Sequence, residues 1–241
     1  MTQSTSASVT TASPELNEIS DRLESVSEKK QLQLIPTIVE KGDAGLEILM
    51  EFLLKRRLKN SPDIVDGKIY QLLSQTNSTQ TQEFIQSKFP QGIVPLKSEK
   101  DIDYTQLQDL LVRENFREAD KLTIQKLCEL AGELAIKRKW LYFSEAEGLP
   151  ATDLQTINNL WLIYSEGQFG YSVQREIWLS VGKNWDKLWP KIGWKKGNIW
   201  TRYPNEFTWD LTAPRGHLPL SNQLRGVRVI NSLLSHPAWS S

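Results

Sequence analysis

The chain has one cysteine, two histidines, two methionines and no net charge in 241 residues. Each scarcity excludes something. A single thiol, Cys128, cannot build an intramolecular disulfide framework and suits a reducing compartment. It lies in Leu127-Cys128-Glu129-Leu130, an apolar helical context, and reads as a buried structural thiol. Two histidines, His217 and His236, with no CxxC, HExxH or CxxCH spacing, leave no metal-binding or haem-attachment motif. No GxSxG occurs, Cys128 has no evident base beside it, and the glycines of GWKKG and PRGH do not follow a strand and open a helix, so neither a nucleophile nor a phosphate cradle is present. Acidic pairs such as Glu145 and Glu147 read as solvated loop. No run of about 18 apolar residues exists to span a bilayer. Charge balance argues against a dedicated nucleic-acid protein.

Tryptophan is missing from the first 139 residues, and all nine lie in the last 102. Five of them, Trp185, Trp189, Trp194, Trp200 and Trp209, fall within 25 residues. The stretch is also basic: Lys183 to Arg228 holds nine Lys/Arg against three Asp/Glu. Trp161 and Trp178 sit in helical stripes and read as core. From Ile192 to Trp209 the aromatics Trp194, Trp200, Tyr203, Phe207 and Trp209 alternate with Lys195, Lys196 and Arg202. Some of these rings simply pin a strandless loop to helices. The density of apolar faces beside cations nevertheless points to a flat, apolar, anionic ligand or to a nucleic acid.

The patterning predicts an all-α protein. Residues 1–13 are uncharged and rich in Ser and Thr, without an apolar signal core or the arginines of a transit peptide, and read as a disordered tail. Residues 14–90 read as an N-terminal helical bundle, from Pro14 at a helix start to the stripe Leu46, Leu49, Met50, Leu53, Leu54. Pro90, Gly92 and Pro95 mark a linker over 91–101. A second domain follows over 102–236. Leu107 to Leu111 and Phe116 to Leu130 make two helices joined by a short turn at Arg113-Glu114-Asn115. Thr152 and Gln155 have capping-box spacing ahead of Leu154, Ile157, Leu160, Trp161 and Tyr164. Another helix carries Tyr171, Gln174, Ile177 and Trp178. Gly182 to Pro219 loses periodicity and reads as a long irregular aromatic loop. A last helix from about Ser221 carries Leu224, Val227, Ile230 and Leu234 inward and puts Arg225 and Arg228 on one face.

Three segments carry a resemblance. DYTQLQDLLVRENFREADKLTIQKLCELAG (103–132), LWLIYSEGQFGYSVQREIW (160–178) and KLWPKIGWKKGNIWTRYPNEFTWDLTAPRGHLPLSNQLRGVRV (187–229) resemble the opening, middle and end of the genomes-uncoupled-four domain. The first 90 residues resemble the helical N-terminal extension of its bacterial-type members. The resemblance implies a C-terminal helical porphyrin-binding domain shaped like a cupped hand, which binds protoporphyrin IX and Mg-protoporphyrin IX. It implies a non-catalytic activator or porphyrin carrier that stimulates magnesium chelatase in chlorophyll biosynthesis, with the large porphyrin-binding subunit of that enzyme as partner. By position the resemblance assigns Trp200, Tyr203 and Phe207 to the flexible aromatic loop, Asn222, Arg225 and Arg228 to the helix behind it, and Phe116 to the opposite rim. Family members commonly have tryptophan where this chain has Tyr203.

On that reading Arg225 and Arg228 pair with the propionates, and no side chain ligates the magnesium directly. Asn222 reaches it through a water. The protein is expected to act as a monomer in the cytoplasm, free or peripherally attached to membranes, with no prosthetic group and no nucleic acid. Two other classes stay open at this point: a single-strand nucleic-acid module built on the basic aromatic loop, and a helical interaction scaffold.

Overall fold

The computed structural model describes residues 14–59, 61–221 and 226–240. The chain divides into two compact units, Met1–Asn60 and Ser61–Ser241. Helices dominate both, as the patterning predicts.

The first unit packs three helices, α1 (Pro14–Ser25), α2 (Glu28–Val39) and α3 (Asp43–Lys59). Leu23, Ile35, Leu49 and Leu53 are wholly buried among them. Buried Gln31 donates from Nε2 to Leu23 O at 2.9 Å, satisfying a carbonyl in the last turn of α1. A Cβ on Gly45 would meet Ile38 O at 1.9 Å, so only glycine lets α3 approach α2 this closely.

The second unit begins with α4 (Ile64–Gln75) and α5 (Thr79–Lys88). Asp63 caps α4, accepting from Val65 N and Asp66 N, while the Asp66 side chain accepts from Asp63 N. α6 (Thr105–Val112) and α7 (Phe116–Ala131) form a hairpin, turned by Glu114 at φ 55° and capped at Asn115. Next come the short α8 (Glu133–Arg138) and α9 (Phe143–Glu147), then the central α10 (Ala151–Ile163) and α11 (Tyr171–Ser180). Leu154, Ile157, Leu160 and Trp161 of α10 are fully buried. α4 packs on α10 and α6, and Gln71 of α4 donates to Leu111 O and Tyr164 O at 3.1 and 3.0 Å. These bonds explain why α4 sits in the second unit and the division falls at 60/61, ahead of the proline-rich stretch.

That stretch, residues 91–101, is firmly packed. Ile93 and Val94 are buried, and the buried Asp153 carboxylate of α10 accepts from Ser98 Oγ, Glu99 N and Tyr104 OH. The expected capping box at Thr152 does not form. α10 starts at Ala151, so Thr152 lies inside its first turn and donates to Glu99 Oε1, while Gln155 reaches Ala238 O.

The expected loop from Gly182 to Pro219 contains regular structure. α12 (Trp185–Lys191) is capped by Asn184, whose side chain accepts from Lys187 N. A small antiparallel hairpin follows, β1 (Lys195–Lys196) and β2 (Ile199–Trp200), with Gly197 at φ +59° opening its two-residue turn. The last helix, α13 (Arg228–Leu234), starts later than Ser221 and is preceded by Gly226 at φ +80°. Val227, expected inward, is 37% exposed. Residues 222–225 lie outside the described set, so Leu224 and the shared face of Arg225 and Arg228 do too. A 3-10 turn at Pro237–Trp239 closes the unit. Among the described residues no helix is long and apolar enough to cross a membrane.

Candidate functional site

The tryptophans form a stack. Trp178 lies on Trp185 at 4.9 Å, Trp185 on Trp189 at 5.2 Å and Trp189 on Trp194 at 5.5 Å, with interplanar angles of 28°, 23° and 9°. Offset rings at these separations attract beyond their burial. Trp200, at the end of β2, leans on Trp189 at 5.5 Å and 59°. Trp194 is fully buried and donates from Nε1 to His217 O at 2.8 Å. The stack therefore welds α11, α12 and the β1–β2 hairpin into one body and leaves Trp200 as its half-buried outer end.

Trp200 faces a cavity of about 840 Å³, within the size range of small-molecule sites. One wall is α7, from Asp120 to Glu129; another is the α8–α9 segment from Ile136 to Leu141. The hairpin and the loop after it close a third side with Trp200, Tyr203 and Phe207, and Leu220, Val229 and Leu233 complete it. The lining is mostly apolar side chain, with Lys121, Lys139 and Arg202 as cations and Asp120 and Glu129 as anions. Lys121 is paired with Glu118 at 2.7 Å. Glu129 is paired with Lys126 at 2.9 Å. Lys139 stands at the end of α8 with φ 62° and is in no such pair among the described residues.

Of the residues singled out from the sequence, Trp200, Tyr203 and Phe207 come together on this wall. Tyr203 is 51% exposed and Phe207 only 5%. Their rings lie 6.4 Å apart, and Trp209, 6.0 Å from each, is fixed by donating to Pro204 O. Burial is the main reason the Tyr203 hydroxyl is pushed up from its ordinary pKa. Phe116 does not line the cavity. It is buried against Trp161 at 6.0 Å and Phe169 at 5.4 Å, as the first residue of α7 turned into the core. Arg228 is exposed, its guanidinium 5.4 Å from the Phe143 ring, and does not line the cavity either, although Val229 beside it does. Asn222 and Arg225 lie outside the described residues. Trp161 and Trp178 are buried.

Most of the lining was not singled out as ligand-binding from the sequence, Asp120, Ile136, Lys139 and Trp140 among it. Trp140 is held by Arg138, whose guanidinium lies 5.0 Å from the Trp140 ring and 4.3 Å from the Tyr142 ring while binding Glu145 at 2.6 Å. The adjacency Arg138-Lys139-Trp140 just past a helix, the same cation-beside-aromatic signal as in the later loop, could have marked it. Cys128 also lines the cavity, and burial pushes its thiol up to about 11, which keeps it protonated.

His217 is committed to structure. It is buried, its Nδ1 lies 2.7 Å from Ile192 O, and its Nε2 accepts from Thr208 N at 3.3 Å. A nitrogen that accepts cannot carry a proton, so the ring is the neutral Nδ1–H tautomer. Burial holds its pKa below the ordinary value, partly offset by the Ile192 carbonyl. Neither nitrogen is available to a metal.

Known proteins share both parts of the chain. The family described as GUN4-like matches residues 97–237, and the one described as ARM-like repeat domain, GUN4-N terminal, matches residues 7–90. The Ycf53-like protein of Synechocystis sp. is 52% identical over 228 residues, covering 95% of this chain and 98% of the relative. The chloroplastic tetrapyrrole-binding protein of Arabidopsis thaliana is 43% identical over 144 residues, 56% of this chain and 54% of the relative. Among solved structures, GUN4 from Chlamydomonas reinhardtii matches with TM-score 0.58 and 43% identity over 61% of this chain and 95% of that one. The ligand-free structure of Arabidopsis thaliana GUN4 matches with TM-score 0.54 and 44% identity, over 58% and 99% respectively.

Proposed function

The chain belongs to the GUN4-like family, and on that premise we propose that it binds protoporphyrin IX and Mg-protoporphyrin IX in the cavity beside Trp200. It stimulates magnesium chelatase in chlorophyll biosynthesis as a non-catalytic activator or porphyrin carrier, with the large porphyrin-binding subunit of that enzyme as partner. The observation that carries the ligand is the cavity itself: about 840 Å³ of mostly apolar space with Trp140, Trp200, Tyr203 and Phe207 for the faces of a disc. Lys139 and Arg202 on the wall offer cations to its acids. The tetrapyrrole-binding relative from Arabidopsis supports the same ligand class.

The propionates are bound by Arg225 and Arg228 together with these wall cations, Asn222 approaches the metal through a water, and Phe116 supports the rim from within the core. No side chain ligates the metal directly, and the protein carries no prosthetic group. It works as a monomer in the cytoplasm, free or peripherally attached to membranes. Leu134, Tyr142 and Phe143, exposed next to the cavity-lining segment of α8 and α9, supply apolar surface for the partner. The N-terminal bundle and the domain over 102–236 serve as accessory and ligand-binding parts.

Titration of the protein with protoporphyrin IX, followed by tryptophan fluorescence and the Soret band, tests this reading. Saturable quenching that changes little with salt is expected, since burial of apolar surface supplies most of the energy. Tight, steeply salt-dependent binding to oligonucleotides with no porphyrin quenching would replace it with the single-strand nucleic-acid module. No binding of either would leave an interaction scaffold.

A further inference from the structure

Asp120 is the one acid on the cavity wall that the described residues leave without a cation. The residue is only 3% exposed. One carboxyl oxygen, Oδ1, accepts from Leu220 N at 2.7 Å, a bond spanning 100 residues of sequence. The other oxygen receives no hydrogen bond from any described residue. On its own helix, Lys121 is turned to Glu118, and Glu129 is turned to Lys126. Tyr171 of α11 and Tyr203 of the hairpin loop both feel the Asp120 charge, and Tyr171 OH is buried with no hydrogen-bond partner among the described residues. Lys139 and Arg202 complete the charged groups of the cavity.

A buried carboxylate in a site for a dianionic ligand is costly unless it meets a donor. A free-base macrocycle gives it none, because its N–H groups lie in the ring plane and point at the ring centre. A metallated macrocycle carries a cation with an open axial position. Water bound there is more acidic than bulk water and donates more strongly. We propose that Asp120 is the specificity-determining group of this cavity, its free oxygen accepting from the axial water of a metal-bearing tetrapyrrole, so that the metallated ligand is preferred to the free base. The inference rests on the reading of the cavity as a tetrapyrrole site. Burial pushes the carboxyl up to about 7, with the Leu220 N–H and Lys121 opposing. The acceptor therefore gains its charge as pH rises through about 7, and the preference grows with it.

The test compares dissociation constants of the full chain for zinc protoporphyrin IX and protoporphyrin IX at about pH 6 and about pH 8. The ratio is expected to shift toward the zinc ligand by about tenfold across that span, the scale of one hydrogen bond to a charged group. Asp120→Asn keeps an oxygen for Leu220 N and removes the charge, and it should make the ratio independent of pH. A wild-type ratio that stays flat with pH, or a pH-dependent ratio that survives Asp120→Asn, overturns the assignment while leaving tetrapyrrole binding intact. Failure of both ligands to bind the wild-type chain overturns the tetrapyrrole reading and this inference with it. The wild-type pH profile decides the matter even where the variant does not fold.

Discussion

Trp189 lies almost parallel to Trp194, 5.5 Å away and 9° from coplanar, and supports Trp200 of the cavity wall at the same distance. Trp189 is 4% exposed and Trp194 wholly buried, so this pair is core, and Trp200 is what the core presents to a ligand. The two positions should therefore separate in mutagenesis. Trp189→Ala empties a buried indole site and is expected to cost about 3–5 kcal/mol of stability, read by urea unfolding. Trp200→Ala should cost far less stability and weaken porphyrin binding instead. Equal effects of both on stability, with binding intact in Trp200→Ala, would place Trp200 in the core as well.

His217 gives the unit an acid-sensitive latch. Burial lowers its folded-state pKa below the unfolded value of about 6.5. A depressed pKa means the unfolded chain binds the proton more readily. The His217 contribution is thus complete above that unfolded value and is lost as pH falls through the folded one. Protonation also ends the acceptor role of Nε2 toward Thr208 N. Melting temperature should drop on going from neutral pH to about pH 5, and His217→Gln should flatten the His217 share of that drop.

Asp120 has the opposite sign. Its folded pKa, up to about 7, lies above that of an unfolded aspartate. Its stability contribution is present at acid pH and lost as pH rises through about 7. Asp120→Asn should therefore raise the melting temperature relative to wild type at about pH 8 and lose that advantage at about pH 5. A constant offset between the two curves would show that the carboxyl does not titrate there.

The helices were legible wherever an apolar stripe ran uninterrupted, as in α3, α7 and α10. The basic aromatic loop was legible as a wall because its composition makes no sense as exposed coil. What the sequence hid has identifiable causes. α12 and the hairpin are too short, seven and two-plus-two residues, to show a period. The resemblance puts Phe116 on the rim, and its side chain faces Trp161. Asp120 and Leu220 meet across 100 residues, a pairing that no local pattern announces. The joint between α4 and α10 is equally non-local.

Cations at the cavity should divide by how they stand to the wall. Lys139 lines it with no carboxylate partner among the described residues, whereas Arg228 lies over Phe143 outside the lining. A charge-assisted contact to a propionate is worth about 1.5–3 kcal/mol when partly desolvated. Arg225→Ala is expected to weaken porphyrin binding about tenfold or more with the fold intact, and Lys139→Ala to weaken it by a comparable factor. A Soret titration showing unchanged affinity for Arg225→Ala would remove that residue from the site.

Gly67 offers the sharpest check on the packing of α4. A Cβ there would lie 2.3 Å from Ile163 O and 2.7 Å from Ile163 Cγ2, both on α10. Two effects oppose each other in Gly67→Ala. Alanine favours a helix interior by roughly 0.5–1 kcal/mol over glycine. Forcing a methyl group into a closed contact costs typically about 1–3 kcal/mol, and more when the obstacle is backbone that cannot rotate away. The second term wins, because the nearest atom is a carbonyl oxygen within a helix. The variant should be less stable in urea, with Gln71 drawn off Leu111 O and Tyr164 O as α4 retreats. Porphyrin affinity should hold, since α4 contributes nothing to the cavity wall. A stabilised Gly67→Ala would mean that α4 does not rest on α10 at Ile163.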